Sequence, residues 1–151
     1  MEISYRIATI ITNHRIMDEL VHEYFRDTIA KENLPLLDID WKVYIELERV
    51  GNTVVVGAWD EGKLVGFVMY VVMEHPHHKR VRYAHCDIIG VLPAYRGQRI
   101  GRLLIAASEH LLRDKGVHYV CHGERVEYGV PPLFTKLGYQ LIERTYRKEL
   151  V

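Results

Sequence analysis

Val91-Leu92-Pro93-Ala94-Tyr95-Arg96-Gly97-Gln98-Arg99-Ile100-Gly101-Arg102 is the stretch whose reading decides the fold. Before it lies an apolar, β-like run, Cys86-Asp87-Ile88-Ile89-Gly90-Val91, which Pro93 brings to an end. After it, Ile100, Leu103, Leu104, Ala107 and Leu111 recur at i, i+3, i+4, i+7 and i+11. That spacing predicts a helix with one buried face, running to about Lys115. The stretch therefore reads strand, short basic glycine-containing loop, helix. Such a turn aims the free N–H groups of a helix N-terminus at one spot, with Arg96, Arg99 and Arg102 around it. A single arginine at a helix start is ordinarily just solvated. Three of them stand against the positive end of the helix dipole, an unfavourable placement unless something negative sits there. A phosphate-bearing ligand is the natural occupant.

Composition narrows the rest. A chain of 151 residues, 48% of them hydrophobic, fits one domain with one core. The 20 basic and 20 acidic residues cancel, so nothing suggests a nucleic-acid partner. No apolar run approaches twenty residues and the N-terminus shows no signal-peptide pattern, which predicts a soluble, cytoplasmic protein with no membrane partner. Cys86 and Cys121 form no disulfide framework and read as reduced core thiols.

In chain order, Ile3 to Ile11 is β-prone. Asn13 is a candidate N-cap for a helix whose face is Met17, Leu20, Val21 and Tyr24, ending near Lys31 to Leu34 before Pro35. Asp38 or Asp40 caps a second helix, Trp41 to Arg49. Thr53 to Trp59 and Leu64 to Met73 are strands joined by a hairpin at Asp60-Glu61-Gly62-Lys63. His75, His77 and His78 fall on the next loop. Three histidines so close in sequence do not converge on one ion without further ligands, so the tip reads as solvated and no metal is expected. Val81 to Val91 is the central strand, where Gly90 signals a bulge or a close backbone approach. His118 to His122 is a fifth strand. Pro131-Pro132 opens a short helix that stops at Gly138, and Tyr139 to Lys148 is a last strand.

Pro93-Ala94-Tyr95-Arg96-Gly97-Gln98-Arg99-Ile100-Gly101 resembles the acetyl-CoA loop of the GNAT N-acetyltransferase superfamily, Q/R-x-x-G-x-G/A preceded by V-x-P-x-x. Arg96 takes the first slot and Gly101 the last, while Arg99 stands where the family has its first glycine. Leu133-Phe134-Thr135-Lys136-Leu137-Gly138-Tyr139 is similar to a late family segment, F/L-Y-x-K-L-G-F/Y, and Val56-Gly57-Ala58 through Phe67 to its second and third strands. The resemblance implies an α/β (α+β) fold: a mixed, twisted sheet of six or seven strands flanked by about four helices. It implies acetyl-CoA as co-substrate, an amine of a small molecule or protein as acceptor, and the homodimers common among relatives. It assigns the cofactor site to Ile89, Gly90 and Val91, whose strand amides face the pantetheine arm and the thioester carbonyl, and to Arg96, Gly97, Gln98, Arg99, Ile100, Gly101 and Arg102. The first two helices cover the acceptor groove in the family. Glu32, Asp38 and Asp40 then read either as an acidic rim suited to an amine or as caps and solvated loop.

Acetyl transfer to an amine needs a base, a stabilised carbonyl oxygen and a leaving thiolate. Counting back from the loop, the family's base positions on the fourth strand fall at His85 and Asp87. Alternation puts both on one face, where an aspartate raises the basicity of a neighbouring histidine. His85 is the expected base and Asp87 its partner or alternative; the other reading is a packed histidine and a hydrogen-bonded carboxylate. The family's usual acid, a tyrosine poised at the sulfur, has Phe134 in its slot, and its helix-capping Asn falls near Glu127. Tyr128, Tyr139 and Cys121 are possible substitutes that no spacing rule separates. Arg99 and Phe134 also support a rival reading, an acyl-CoA-binding or protein-binding module without turnover. A nucleotide-binding α/β protein is disfavoured by the lack of a Walker pattern and of a GxGxxG after the first strand.

Overall fold

The computed structural model describes residues 2–28, 36–124 and 133–151. Strand β1 (Ile3–Ile7) leads into helix α1 (Ile10–Thr28) and then α2 (Trp41–Arg49). Strands β2 (Thr53–Asp60), β3 (Lys63–Glu74) and β4 (Arg82–Val91) follow. A 3₁₀ turn at Pro93–Tyr95 precedes helix α3 (Ile100–Asp114), strand β5 (Tyr119–Cys121) and helix α4 (Leu133–Lys136). The sheet order is β1-β2-β3-β4-β5, antiparallel except for the parallel β4–β5 pair.

Strands β2 and β3 read as almost unbroken apolar runs because helices cover both faces of the sheet. On one face Val54, Val56, Val68, Tyr70, Val72 and Ala84 pack against Ile100, Leu104 and Leu112 of α3. On the other, Val55, Phe67 and Met69 meet Met17, Leu20 and Val21 of α1. Gly62, with φ of 84°, and Glu61, with φ of 47°, make the expected β2–β3 hairpin, since both central residues of such a turn need positive φ.

Helix α1 starts at Ile10, earlier than Asn13 suggests. The cap is not local. Glu48 on α2 accepts the Ile10 N–H at 2.7 Å and the Ile11 N–H at 3.2 Å, so a carboxylate closes the helix start from another element. Asn13 instead donates to the Thr9 carbonyl at 2.8 Å. Asp40 caps α2 as expected, accepting from the Lys42 N–H at 3.1 Å. On α3 the buried stripe is Ile100, Leu104, Ile105, Ser108 and Leu112. Leu103 is 45% exposed, because the stripe's centre follows the 100-104-108-112 row and 103 lies at its edge.

The sheet has five strands among the described residues rather than six or seven. The expected last strand, Tyr139 to Lys148, is not paired into it. The adjacent Leu141 and Ile142 break the period of two and sit beside Glu143-Arg144 and Arg147-Lys148-Glu149. With β5 only three residues long, the edge offers little ladder, and Leu141, Ile142 and Tyr146 stay exposed. The expected end of α1 at Lys31 to Leu34 and Pro35 lies outside the described residues, as do Glu32, Glu127, Tyr128 and Pro131-Pro132.

Two irregularities of β4 matter for the site. Between Met69 and Tyr70 the register shifts: Cys86 faces Tyr70 and Ile88 faces Met69, so Asp87 is the extra residue of a bulge. The parallel pairing with β5 covers only Tyr83, Ala84 and His85 against Tyr119, Val120 and Cys121. Beyond His85, β4 runs on to Val91 without β5. Gly90 is at neither a bulge nor a close approach: the bulge falls at Asp87, and a Cβ on Gly90 would meet the Leu20 carbonyl oxygen of α1 at an ordinary contact distance of 3.9 Å.

Glu48→Ala should lower unfolding stability by about 1–2 kcal/mol, as loss of a charged helix cap does. Urea denaturation checks this; an unchanged midpoint would mean that α1 is not capped by α2.

Candidate active site

The basic loop folds as its sequence requires. Gly97 takes a φ of 78° and Arg99 a φ of 62°, both left-handed. Arg99 is the N-cap of α3 and gives it no side-chain cap, and the first turn of α3 contains no acidic residue. The helix therefore presents its opening amides to whatever lies in front. A cavity of about 400 Å³ lies there, lined among others by Val91, Arg96, Arg99, Gly101, Arg102 and Leu133. Tyr95 anchors the loop by donating to Asp60 at 2.7 Å, and Arg96 Nε donates to the Val91 carbonyl at 3.1 Å. At Gly101 a Cβ would meet only Ile89 Cδ1, at 3.9 Å, so the glycine is not demanded by packing within the chain. A cradle of amides and arginines with spare room suits a pyrophosphate.

His85 and Asp87 both face α1 and α2. His85 lies opposite Val71, whose neighbours Tyr70 and Val72 belong to the α3 face. Asp87 reaches the same side through the bulge, where Tyr44 of α2 donates to it at 2.7 Å. Burial, then this bond, pushes the Tyr44 hydroxyl well above its ordinary range. Among the described residues no hydrogen bond joins Asp87 to His85, so the carboxylate's partner is Tyr44. From there the contacts continue outward: Tyr44 packs on Trp41 with ring centroids 5.6 Å apart, and Trp41 Nε1 donates to Asp18 at 2.7 Å. Asp18 and Tyr44 carried no local motif. They lie 69 and 43 positions from Asp87 in the chain, and only the packing of α1 and α2 on β4 brings them together. Asp38 and Asp40 are exposed, and Asp40 is spent on its cap.

On the α3 face, where β4 and β5 part, His122 follows directly on β5. Its Nε2 lies 3.3 Å from the Tyr70 hydroxyl, and Tyr70 and Ser108 are joined by a hydrogen bond of 2.9 Å. The His122 ring packs against Phe134 and Tyr139 with centroids 5.1 Å away in each case. Burial, with His85 nearby, pulls its pKa down from 6.5 to about 4, so His122 is neutral at pH 7. Burial and the Asp87 charge push the Cys86 thiol up to about 12, which removes it as a nucleophile. Burial and Glu143 also raise Cys121. Tyr139, a possible acid, donates its hydroxyl to Glu109 at 2.8 Å. His75, His77 and His78 pack on one another at the far end of β4 from the loop. Among the described residues no group of three or more His, Cys, Asp or Glu is placed to hold a metal ion. No described helix is long and apolar enough to cross a membrane.

The sequence model of the acetyltransferase (GNAT) family matches residues 14–139. The chain therefore belongs to the GNAT acetyltransferase family, whose members carry out acetyl-CoA-dependent N-acetylation. Solved structures share the fold over nearly all of both chains. An acetyltransferase of Trypanosoma brucei is 21% identical with a TM-score of 0.73, covering 99% of this chain and 100% of its own. A predicted acetyltransferase of Clostridium acetobutylicum, solved with acetyl-CoA, is 17% identical with a TM-score of 0.74, covering 99% and 97%. An aminoglycoside acetyltransferase from an uncultured soil sample, solved with sisomicin, is 18% identical with a TM-score of 0.69, covering 97% of each chain. No curated protein matches the sequence.

Two outcomes follow from this geometry. A left-handed arginine is disfavoured by about 1–2 kcal/mol, and a glycine gives back about 0.5–1 kcal/mol in unfolded-chain entropy. Arg99→Gly should therefore be more stable by about 0.5–1 kcal/mol in chemical denaturation. A less stable variant would mean that the side chain holds the loop. His122 binds its proton less readily folded than unfolded. Its share of stability is present above pH 6.5 and is lost as pH falls towards 4, a change of about 3 kcal/mol. Denaturation midpoints of wild type and His122→Asn, measured from pH 7 to pH 4, should show the smaller fall in the variant.

Proposed function

We propose that the chain transfers an acetyl group from acetyl-CoA to the amino group of a small molecule or protein, by direct attack on the thioester. The observation that carries this is the left-handed basic loop in front of α3, whose N-cap Arg99 gives no side-chain cap, continuous with the edge of β4 that no other strand pairs beyond His85 among the described residues. Arg96, Gly97, Gln98, Arg99, Ile100, Gly101 and Arg102 would hold the pyrophosphate through amides and guanidinium groups. Ile89, Gly90 and Val91 would pair with the extended arm as an added strand does and offer an amide to the carbonyl oxygen. When bound, acetyl-CoA supplies an activated acyl group and a thiolate leaving group. The rest falls to the protein.

On the opposite face, Asp18 and Asp87 lie among Trp41 and Tyr44, a pairing of carboxylates and aromatic rings that favours a cationic amine. Asp87 attracts the ammonium and His85 takes its proton, directly or through water, so that a neutral nitrogen attacks. The domain acts as a single unit in the cytoplasm, with no nucleic-acid partner, and a second copy is a candidate partner. Phe134 favours one other reading, in which the chain binds the acyl-CoA without turning it over.

Isothermal titration with acetyl-CoA, CoA and ATP tests the donor site: the first two should bind and ATP should not. Gly101→Asp should abolish binding, because a carboxylate would meet the pyrophosphate where packing within the chain tolerates it. Unchanged affinity would remove the anion site. With an amine that the wild type acetylates, His85→Ala should lose on the order of 10²-fold in turnover with little change in acetyl-CoA affinity. Full activity would remove His85 as the base.

A further inference from the structure

The geometry points to His122 as a further catalytic residue, the carrier of the proton that passes from the attacking nitrogen to the departing sulfur. The inference rests on the acetyl-donor reading above and goes beyond it, because nothing in the loop or in the His85–Asp87 pair serves the leaving group.

Three observations place the residue. From Val91, beside the loop cavity, to His85, where the pairing with β5 ends, β4 spans six residue steps, about 20 Å of strand. An arm that starts at the cavity and follows this edge runs toward the point where the two strands close. His122 stands at that closing point, one residue past Cys121, which pairs with His85. The ring is also held by a directed chain. Ser108 has one hydroxyl proton, and the Ile105 carbonyl 2.7 Å away can only accept it. Ser108 Oγ then receives the Tyr70 hydroxyl at 2.9 Å, and the Tyr70 oxygen in turn receives the Nε2–H of His122 at 3.3 Å. This order fixes the tautomer with the proton on Nε2 and a lone pair on Nδ1. Finally, the ring packs at 5.1 Å on Phe134, the side chain that cannot donate.

The protons balance. The acceptor ammonium gives its first proton to His85 and on to solvent. As the C–N bond forms, Nδ1 of His122 takes a second proton from the nitrogen and returns it to sulfur as the C–S bond breaks. Ammonium and acetyl-CoA become amide, CoA thiol and one released proton, with no further reactant. A neutral imidazole suits this role, because it must accept before it donates. Tyr70 and Ser108 are positioning residues that hold the tautomer.

The test needs no acceptor. Protein labelled with ¹⁵N-histidine is titrated with CoA and with desulfo-CoA, which lacks the sulfur, and the imidazole nitrogens are followed by NMR. His122→Gln identifies the resonance. Both ligands should bind, and CoA should shift Nδ1 of His122 where desulfo-CoA does not. Equal shifts, or none from either bound ligand, would overturn the inference while leaving the donor site standing. Failure of both to bind would overturn the donor reading and this one with it. In turnover with an amine that the wild type acetylates, His122→Gln should lose on the order of 10²-fold with acetyl-CoA affinity unchanged, and full activity would count against the role.

Discussion

The structure depends on where β4 stops pairing with β5. Three residues of parallel ladder hold the strands together at Tyr83–His85, and beyond them β4 keeps one edge without β5 as far as Val91. An open strand edge inside a domain is a row of unsatisfied amides and carbonyls, which is costly when buried and useful when a ligand supplies the missing bonds. The crossover from β4 through the basic loop and α3 to β5 produces this opening. It also sets the N-terminus of α3 at one end and His122 at the other. The proposed anion site, the length of β4 beyond its pairing with β5 and the half-buried imidazole of His122 share this parting of strands.

Around it the two faces of the sheet divide the chemistry. The α1–α2 face brings carboxylates and aromatic rings to the bulge at Asp87. The α3 face keeps the buried hydroxyls of Ser108 and Tyr70 and the half-buried imidazole of His122 beside a core of valines and leucines. Desolvation acts on both, raising Tyr44 and Cys86 and lowering His122.

Local signals in the chain were sufficient for much of this. The strand–loop–helix at 86–115, the Asp40 cap, the Glu61-Gly62 hairpin and the amphipathic faces of α1 and α3 are patterns that neighbouring residues decide among themselves. Long-range contacts were not readable in that way. Asn13 has the chemistry of a cap, yet Glu48, from another helix, closes α1. Asp18 and Tyr44 reach Asp87 only through packing, and the Asp87 bulge depends on the register of β3. His122 looked like the end of a short strand, and its role became visible only when Tyr70 and Phe134, far away in sequence, stood against it. The terminal segment failed as a strand because alternation lapses at Leu141-Ile142 and the neighbouring edge is too short to recruit it.

Amide hydrogen exchange with and without acetyl-CoA tests the central claim most directly. If the open edge of β4 and the uncapped start of α3 receive the ligand, amides at 89–91 and 100–102 should gain protection together while β2 stays as it was. Acetyl-CoA bound with those two segments exchanging as before would contradict the account.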